Sequence, residues 1–315
     1  MSHDNGTQPR RPDSCFALGA RLLSASNLRW AIGALNGLLG DPMTDGSELF
    51  SLVGKRALVT GASRGIGRAI ALAYARAGAD VAVVARSDAE IGALADQIRV
   101  LGRSAIALRC DVTQPEDIAA AIERVLGEFG ALEVLVNNAG GPVFNAPFLD
   151  IRPEGFARVL ELNLMSVVRF SQAVGAHMVE RRAGSIINID SIGASHPAPL
   201  VTPYCAAKAA VVNLTQALAQ EWARSGVRVN ALGPGLISTE INRALVEHPE
   251  FGRTMAEAVP LGRWGIPEDM VGGAVWLASD ASAYVTGARI PIDGGIGVVA
   301  PQALPDALGD AEGDE

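Results

Sequence analysis

"TGASRGIG", Thr60 to Gly67, is the stretch whose reading decides the fold. It follows a short β-branched run, "RALVT" (56–60), and leads into a helix-length segment, "RAIALAYARAG". Glycines also serve plain turns, but between a strand and a helix of a βαβ unit this run has the context of a phosphate-binding turn. Each glycine has a separate duty there. Gly61 permits the tight turn, Gly65 lets backbone approach a diphosphate, and Gly67 lets helix and strand pack closely. Ser63, Arg64 and Ile66 complete the expected cofactor-binding turn. The helix that follows starts with unpaired N–H groups and a positive dipole end, which together attract an anion.

Outward from this turn the pattern is regular. "VAVVA" (81–85), "AIALR" (105–109), "LEVLV" (ending at 136), "SIINI" (185–189), "VRVNAL" (227–232) and "RIPI" (289–292) are further candidate strands. Helix-length segments such as "PEDIAAAIERVLGEFG" lie between them. Nearly continuous apolar strands alternating with helices predict a parallel sheet covered on both faces. With right-handed crossovers this is an α/β, doubly wound, Rossmann-type sheet of about seven strands. One catalytic domain is expected over residues 51–300, with no internal repeat. Residues 1–50 form an extension in which Leu28, Ile32, Leu35 and Leu39 share one helical face. Asn36 interrupts that run and no small-residue cleavage site follows, so it reads as a docked amphipathic helix rather than a leader. Residues 301–315 read as an acidic tail.

Composition narrows the class. Of 315 residues 49% are apolar and 19% charged, as in a compact globular protein. The formal charge of -8 and the lack of a basic stripe argue against a nucleic-acid partner. No run of about 20 apolar residues suggests a membrane span. Cys15, Cys110 and Cys205 show no metal-ligand spacing, so no metal is expected and a reducing cytoplasm is.

The end of the second strand should face the adenosine ribose, where a cofactor lacking a 2′-phosphate would want a carboxylate. Arg86 and Ser87 stand there instead, and Arg64 lies within the glycine turn. Two guanidiniums and a hydroxyl suit a 2′-phosphate through charge-assisted bonds, so NADP(H) is the expected cofactor. Asp88 is the dissenting neighbour.

"YCAAK" puts Tyr204 and Lys208 one helical turn apart, with Thr202 as expected N-cap and Pro203 as first helical residue. A free phenol has a pKa near 10, and an adjacent ammonium would lower it into the range of a usable acid or base. In "SIINIDSIG", Ser191 stands at the carboxyl edge of a strand, where ligands bind in open α/β sheets. "NNAG", Asn137 to Gly140, ends the fourth strand beside the expected reversal of strand order. "LELNLMS" places the amide of Asn163 inside an apolar helix, where it needs a task or a partner.

With "TGASRGIG", "CDVT" (110–113), "NNAG", Asn163, Ser191, "YCAAK" and "PGLIST" (234–239) in this order, the chain resembles the short-chain dehydrogenase/reductase family over about residues 51 to 300. The resemblance implies a catalytic set of Asn163, Ser191, Tyr204 and Lys208. It implies Asp111 and Val112 at adenine and Asn138, Ala139 and Gly140 along the dinucleotide. Pro234, Gly235, Ile237 and Thr239 would lie near nicotinamide, with Tyr204 and Lys208 also touching the cofactor. Ser191 and Tyr204 would hold a carbonyl oxygen while Tyr204 passes a proton, and Asn163 would hold a water linking Lys208 to solvent. The implied partner is a small ketone or alcohol, or an acyl thioester, since "PLGRWGIPEDM" and "DGG" are similar to 3-oxoacyl-carrier-protein reductases. Arg152, Arg158 and Arg169 are candidates for docking an acyl carrier. Sugar, steroid or other secondary-alcohol dehydrogenases are the alternative, and a dinucleotide-sensing protein without turnover is the alternative of another class. The resemblance also implies a homo-oligomer, as a homotetramer, packed through helices around 153–180 and 203–225. Asp190 and the long extension depart from the family pattern. Segment 236–260 reads as a lid or as fixed packing helices, His196 as exposed or lining the substrate mouth, and Cys205 as packing.

Overall fold

A computed structural model describes Gly46 and residues 48–298; the predicted amphipathic helix and the acidic tail lie outside the described residues. Leu49 begins a compact unit built on seven strands. These are β1 (Arg56–Thr60), β2 (Asp80–Ala85), β3 (Ala105–Arg109), β4 (Val134–Asn137), β5 (Gly184–Ile189), β6 (Val227–Pro234) and β7 (Arg289–Ile292). They form one sheet of order β3-β2-β1-β4-β5-β6-β7, and every neighbouring pair is parallel. The chain winds outward one way from β1 and the other way from β4. The switch between them opens a crevice at the strands' carboxyl ends, which is where ligands bind in such sheets.

Successive strand residues point to opposite faces, and both faces are covered. Ala57, Val59, Val81, Val83, Val134, Val136 and Ile187 pack on one side with α1 (Gly65–Arg76), α2 (Asp88–Val100) and the late helix Val271–Ala278. Leu58, Ala82, Val84, Leu135, Ile186 and Val229 pack on the other. There they meet α3 (Pro115–Phe129), α5 (Ser166–Arg181) and α6 (Thr202–Trp222). This is why the strands read as unbroken apolar runs. α4 (Pro153–Leu160) precedes α5, and α7 (Arg243–Val246), α8 (Pro249–Ala258) and α9 (Val271–Ala278) complete the helices. Pro115 opens α3 and Gly130, at φ 72°, closes it, the usual asymmetry of helix ends.

Two local expectations change. The N-cap of α6 is Val201, with Thr202 already helical and no side chain capping the start. The apolar helix around Asn163 is interrupted between α4 and α5 by a π-helical stretch, Glu161–Met165. Such bulges insert an extra residue and re-aim side chains. Among the described residues no helix is long and apolar enough to cross a membrane.

Candidate functional site

β1 ends at the glycine turn and β4 ends beside it. The hydroxyl of Thr60 accepts from the amides of Asn138 (2.9 Å) and Ala139 (3.0 Å), fastening the two strand ends. The side-chain Nδ2 of Asn138 donates to Thr60 O (2.9 Å) and Gly61 O (3.1 Å) and lies directly under Gly67. A Cβ at Gly67 would stand 2.4 Å from Asn138 Nδ2. Gly67 therefore makes room for the Asn138 side chain, a more specific reason than general helix-strand packing.

The start of α1 has no side-chain cap, so its first N–H groups are available to an anion. Ser63, Arg64, Gly65, Ser238, Thr239 and Arg243 line a cleft of about 620 Å³ at this end. Arg64 and Arg86 are exposed, and neither is in an ion pair among the described residues. Ser87 takes the N-cap position of α2. Asp111 is close enough to Arg86 to feel its charge. Burial acts to raise its pKa, but hydrogen bonds from the amide and hydroxyl of Thr113, and the charges of Arg86 and Arg109, outweigh this and lower it. Val112 is buried beside it. Unspent guanidiniums, an uncapped helix start and a glycine cradle fit a phosphorylated dinucleotide.

The "PGLIST" segment continues β6 past Pro234. A Cβ at Gly235 would stand 2.6 Å from Asp293 Cα, so the turn passes hard against the chain after β7. Asn242 folds the rest, donating to Ile237 O (2.8 Å) and accepting from the amide of Thr239 (2.8 Å). Sequence reasoning missed this asparagine. Beyond it, Trp264 donates to Gly252 O (2.8 Å), which pins α8. His248 is the N-cap of α8.

At the carboxyl end of β5, the Oγ of Ser191 accepts from the amide of Gly193 (3.1 Å), so its own proton is free to donate. Tyr204 and Lys208 face it from the first turns of α6, with Lys208 Nζ 5.7 Å from the centre of the Tyr204 ring. The buried ammonium of Lys208 donates to Ile189 O (2.7 Å). Burial of the Tyr204 phenol pushes its pKa up to about 12, while a hydrogen bond from Ser191 pulls the other way. Burial also presses Lys208 down to about 8, opposed by the charge of Asp190. This corrects the expectation that the ammonium sets the phenol's acidity. Burial sets it, in the opposite direction, and the phenol keeps its proton at neutral pH.

Asn163, fully buried, is committed elsewhere. Its Nδ2 donates to Gly141 O and Val159 O (both 3.0 Å), and its Oδ1 accepts from the amide of Gly141 (2.8 Å). Both amide hydrogens are spent, so the side chain clamps the turn after β4 rather than offering a donor to a water. Gly140 stands between it and Lys208: a Cβ there would lie 2.6 Å from Asn163 Oδ1 and 3.4 Å from Lys208 Nζ. Asn163 thus lies behind Gly140, next to the group formed by Ser191, Tyr204 and Lys208.

Cys205 packs under the serine turn, its Sγ 3.0 Å from where a Cβ of Gly193 would be. His196 is exposed and shares a 3.0 Å hydrogen bond with Ser195. Arg169 pairs with Glu161, which removes it from the suggested docking patch. Among the described residues no cluster could hold a metal. One overlooked signal was compositional: Lys55 and Lys208 are the chain's lysines, and arginine supplies its other permanent cations.

Comparison with known proteins agrees with this fold. A family model described as Enoyl-(Acyl carrier protein) reductase matches residues 61–297. A 2-dehydro-3-deoxy-D-gluconate 5-dehydrogenase of Pseudoalteromonas atlantica is 41% identical over 249 residues, covering 79% of this chain and 98% of that protein. A 5-keto-D-gluconate 5-reductase of Escherichia coli is 38% identical over 251 residues, 79% of this chain and 98% of its own. The crystal structure of a gluconate 5-dehydrogenase from Burkholderia cenocepacia, in complex with NADP and tartrate, superposes with a TM-score of 0.77 at 38% identity. That superposition covers 81% of this chain and 99% of the other. A parallel sheet with this order and a glycine turn at its switch point, together with a family model matching residues 61–297 and relatives of 38–41% identity matched over nearly their whole length, lead to one conclusion: the chain belongs to the short-chain dehydrogenase/reductase family.

Proposed function

We propose that the protein is an NADP(H)-dependent oxidoreductase interconverting a ketone and a secondary alcohol on a sugar acid. The observation that carries this reading is the convergence of Ser191, Tyr204 and Lys208 at the carboxyl end of β5, facing the crevice. The unpaired Arg64 and Arg86 support the phosphorylated cofactor, as does the NADP held by the Burkholderia relative. The sugar-acid substrates in the relatives' names favour the secondary-alcohol alternative over the 3-oxoacyl thioester. The pairing of Arg169 with Glu161 weighs the same way, since it depletes the basic patch an acyl carrier would need. A sensing protein without turnover would have no use for so complete a set of reacting groups.

The dinucleotide, when bound, supplies or accepts hydride. Gly61, Gly65 and the start of α1 would hold its diphosphate, and Arg64, Arg86 and Ser87 its 2′-phosphate. The protein's part in reduction is to bind the carbonyl oxygen between the hydroxyls of Ser191 and Tyr204. Charge that develops on this oxygen meets donors already in place, where such stabilisation is most effective. Tyr204, which burial keeps protonated, delivers its proton to that oxygen. In the oxidative direction Tyr204 takes the proton from the alcohol, a step that needs the less accessible phenolate. Lys208 supplies the nearby positive charge, and Asn163 holds the turn at Gly141 against which the site closes. We also read the enzyme as a cytoplasmic homo-oligomer, testable by light scattering and fractionation.

The test is a panel of 5-keto-D-gluconate, 2-dehydro-3-deoxy-D-gluconate, a steroid ketone and a 3-oxoacyl thioester, each with NADPH and with NADH. Turnover of a sugar acid with NADPH is expected. Turnover confined to the thioester, or a tenfold preference for NADH, would overturn the substrate or cofactor assignment respectively.

A further inference from the structure

We propose that Asp190 and Arg289 form a positioning pair that fixes the main chain at Ser191 and sets the charge beside Lys208. This rests on the reading of Ser191, Tyr204 and Lys208 as the reacting groups.

Asp190 follows the last residue of β5 and Arg289 opens β7, so β6 lies between them. The pair meets across β6 at Gly233, the residue that leaves room for it. A Cβ there would stand 2.8 Å from Asp190 Oδ1 and 2.9 Å from Arg289 Nη2. Arg289 Nε donates to Asp190 Oδ2, and its Nη2 donates to the carbonyl of Ser191 itself (2.9 Å). The amide of Asp190 donates to Leu232 O (2.9 Å). One guanidinium thus holds the serine's main chain while the residue before it is tied to the neighbouring strand.

A pair kept only for stability would be an odd choice here. Buried ion pairs seldom outperform apolar packing, because two charges must leave water. The Asp190 side chain is 0% exposed, and its Oδ1 has no hydrogen-bond partner. Orphaned buried carboxylate oxygens are costly and rare. The negative charge has a second use nearby: Lys208 Nζ is bonded to the carbonyl of Ile189, the residue just before Asp190. Burial drives that amine toward its neutral form, and Asp190 is the group that opposes the drift. Burial raises the Asp190 carboxyl above the usual range too, although the hydrogen bond and charge of Arg289, the charge of Lys208 and the Ser191 amide all pull it back down. Because a guanidinium does not lose its proton in proteins, Arg289 keeps the carboxylate available as an anion. The groups around Lys208 are Tyr204 on its own helix, Asp190 after β5 with Arg289 behind it on β7, and the neutral Asn163 across Gly140.

The chain offers a direct readout. Lys55 and Lys208 are its lysines, so protein carrying isotope-labelled lysine gives one side-chain signal from each. Lys55, paired at the surface with Asp280, serves as internal control. The variants are Asp190→Asn and the uncharged pair Asp190→Asn with Arg289→Gln, which keeps the shape if the single variant fails to fold. In Asp190→Asn the Lys208 titration should move down by about one pH unit, and in the double variant by less, because a positive charge leaves with the negative one, while Lys55 stays in place in both. Oxidation of gluconate, or of the panel's fastest sugar acid, should lose about 10–100-fold in kcat at neutral pH with NADP affinity nearly unchanged. The alkaline limb of that reaction should shift to lower pH, since without the negative charge Lys208 gives up its proton more readily. A Lys208 titration identical to wild type in the folded variants overturns the proposal, as does an unchanged kcat. Tyr204→Phe, assayed alongside, separates the two readings. If it turns over normally the proposed chemistry fails, whereas an inactive Tyr204→Phe beside fully active Asp190 variants sinks the positioning pair alone.

Discussion

Gly67→Ala should destabilise the protein more than it impairs the reacting groups. The new methyl would lie 2.4 Å from Asn138 Nδ2 and 2.6 Å from Gly61 O. The backbone carbonyl has little freedom, so the asparagine amide must move. It then gives up its hydrogen bonds to Thr60 O and Gly61 O, at a cost of about 1–3 kcal/mol. Overpacking adds about 1–3 kcal/mol, and the better helix propensity of alanine returns about 1 kcal/mol. The net loss is centred near 3 kcal/mol, a large effect for one substitution. For a chain of this size that corresponds to a fall of about 6–12 °C in Tm. Gly65→Ala is the contrasting case. Its nearest neighbour, Thr239 Cγ2, would be at an ordinary 3.5 Å, but φ is +57°, so the cost is the left-handed backbone, about 1–2 kcal/mol. Its methyl would instead stand where the diphosphate should approach. Thermal melts and NADPH titration followed by fluorescence should therefore rank the two in opposite orders. A Gly67→Ala protein melting within about 2 °C of wild type would refute the packing argument.

Tyr204→Phe should abolish turnover while NADPH affinity stays within about twofold, because only the hydroxyl is removed. Arg64→Ala and Arg86→Ala should each weaken NADPH about 10–100-fold, the worth of a lost charge-assisted bond, and leave NADH affinity unchanged in the same titration. With the phenol raised to about 12 and the amine lowered to about 8, the oxidative rate should climb as pH rises toward 8, since the base form of Tyr204 is required, and flatten above it as Lys208 loses its proton. The reductive rate should stay level through neutral pH, where the phenol is protonated; initial rates across pH in both directions check this. Asn163→Ala should lower stability by about 2–5 kcal/mol in thermal melts, because it strips partners from the buried Gly141 turn.

The strands were legible because the central ones are buried on both faces and carry nearly unbroken apolar runs. The glycine turn was legible because its residues answer local backbone demands. "RALVT" and "RIPI" coincide with β1 and β7, and Thr60 to Gly67 is a continuous piece of chain whose geometry depends on its own residues. What the sequence by itself determined, then, was the alternation of strand and helix, the phosphate turn and the reacting side chains carried on contiguous motifs.

Tertiary structure decided the electrostatics. The acidity of Tyr204 depends on how closely other segments enclose it, and a pair of residues one turn apart cannot reveal that. Asn163 looked like a polar intruder because its main partner, Gly141, lies 22 residues away on the turn after β4. The partnership of Asp190 with Arg289 joins residues 99 positions apart across β6. Burial and long-range contact are properties of the assembled sheet, so the identities of the reacting groups could be read along the chain, while their charge states came only from what folding packs around them.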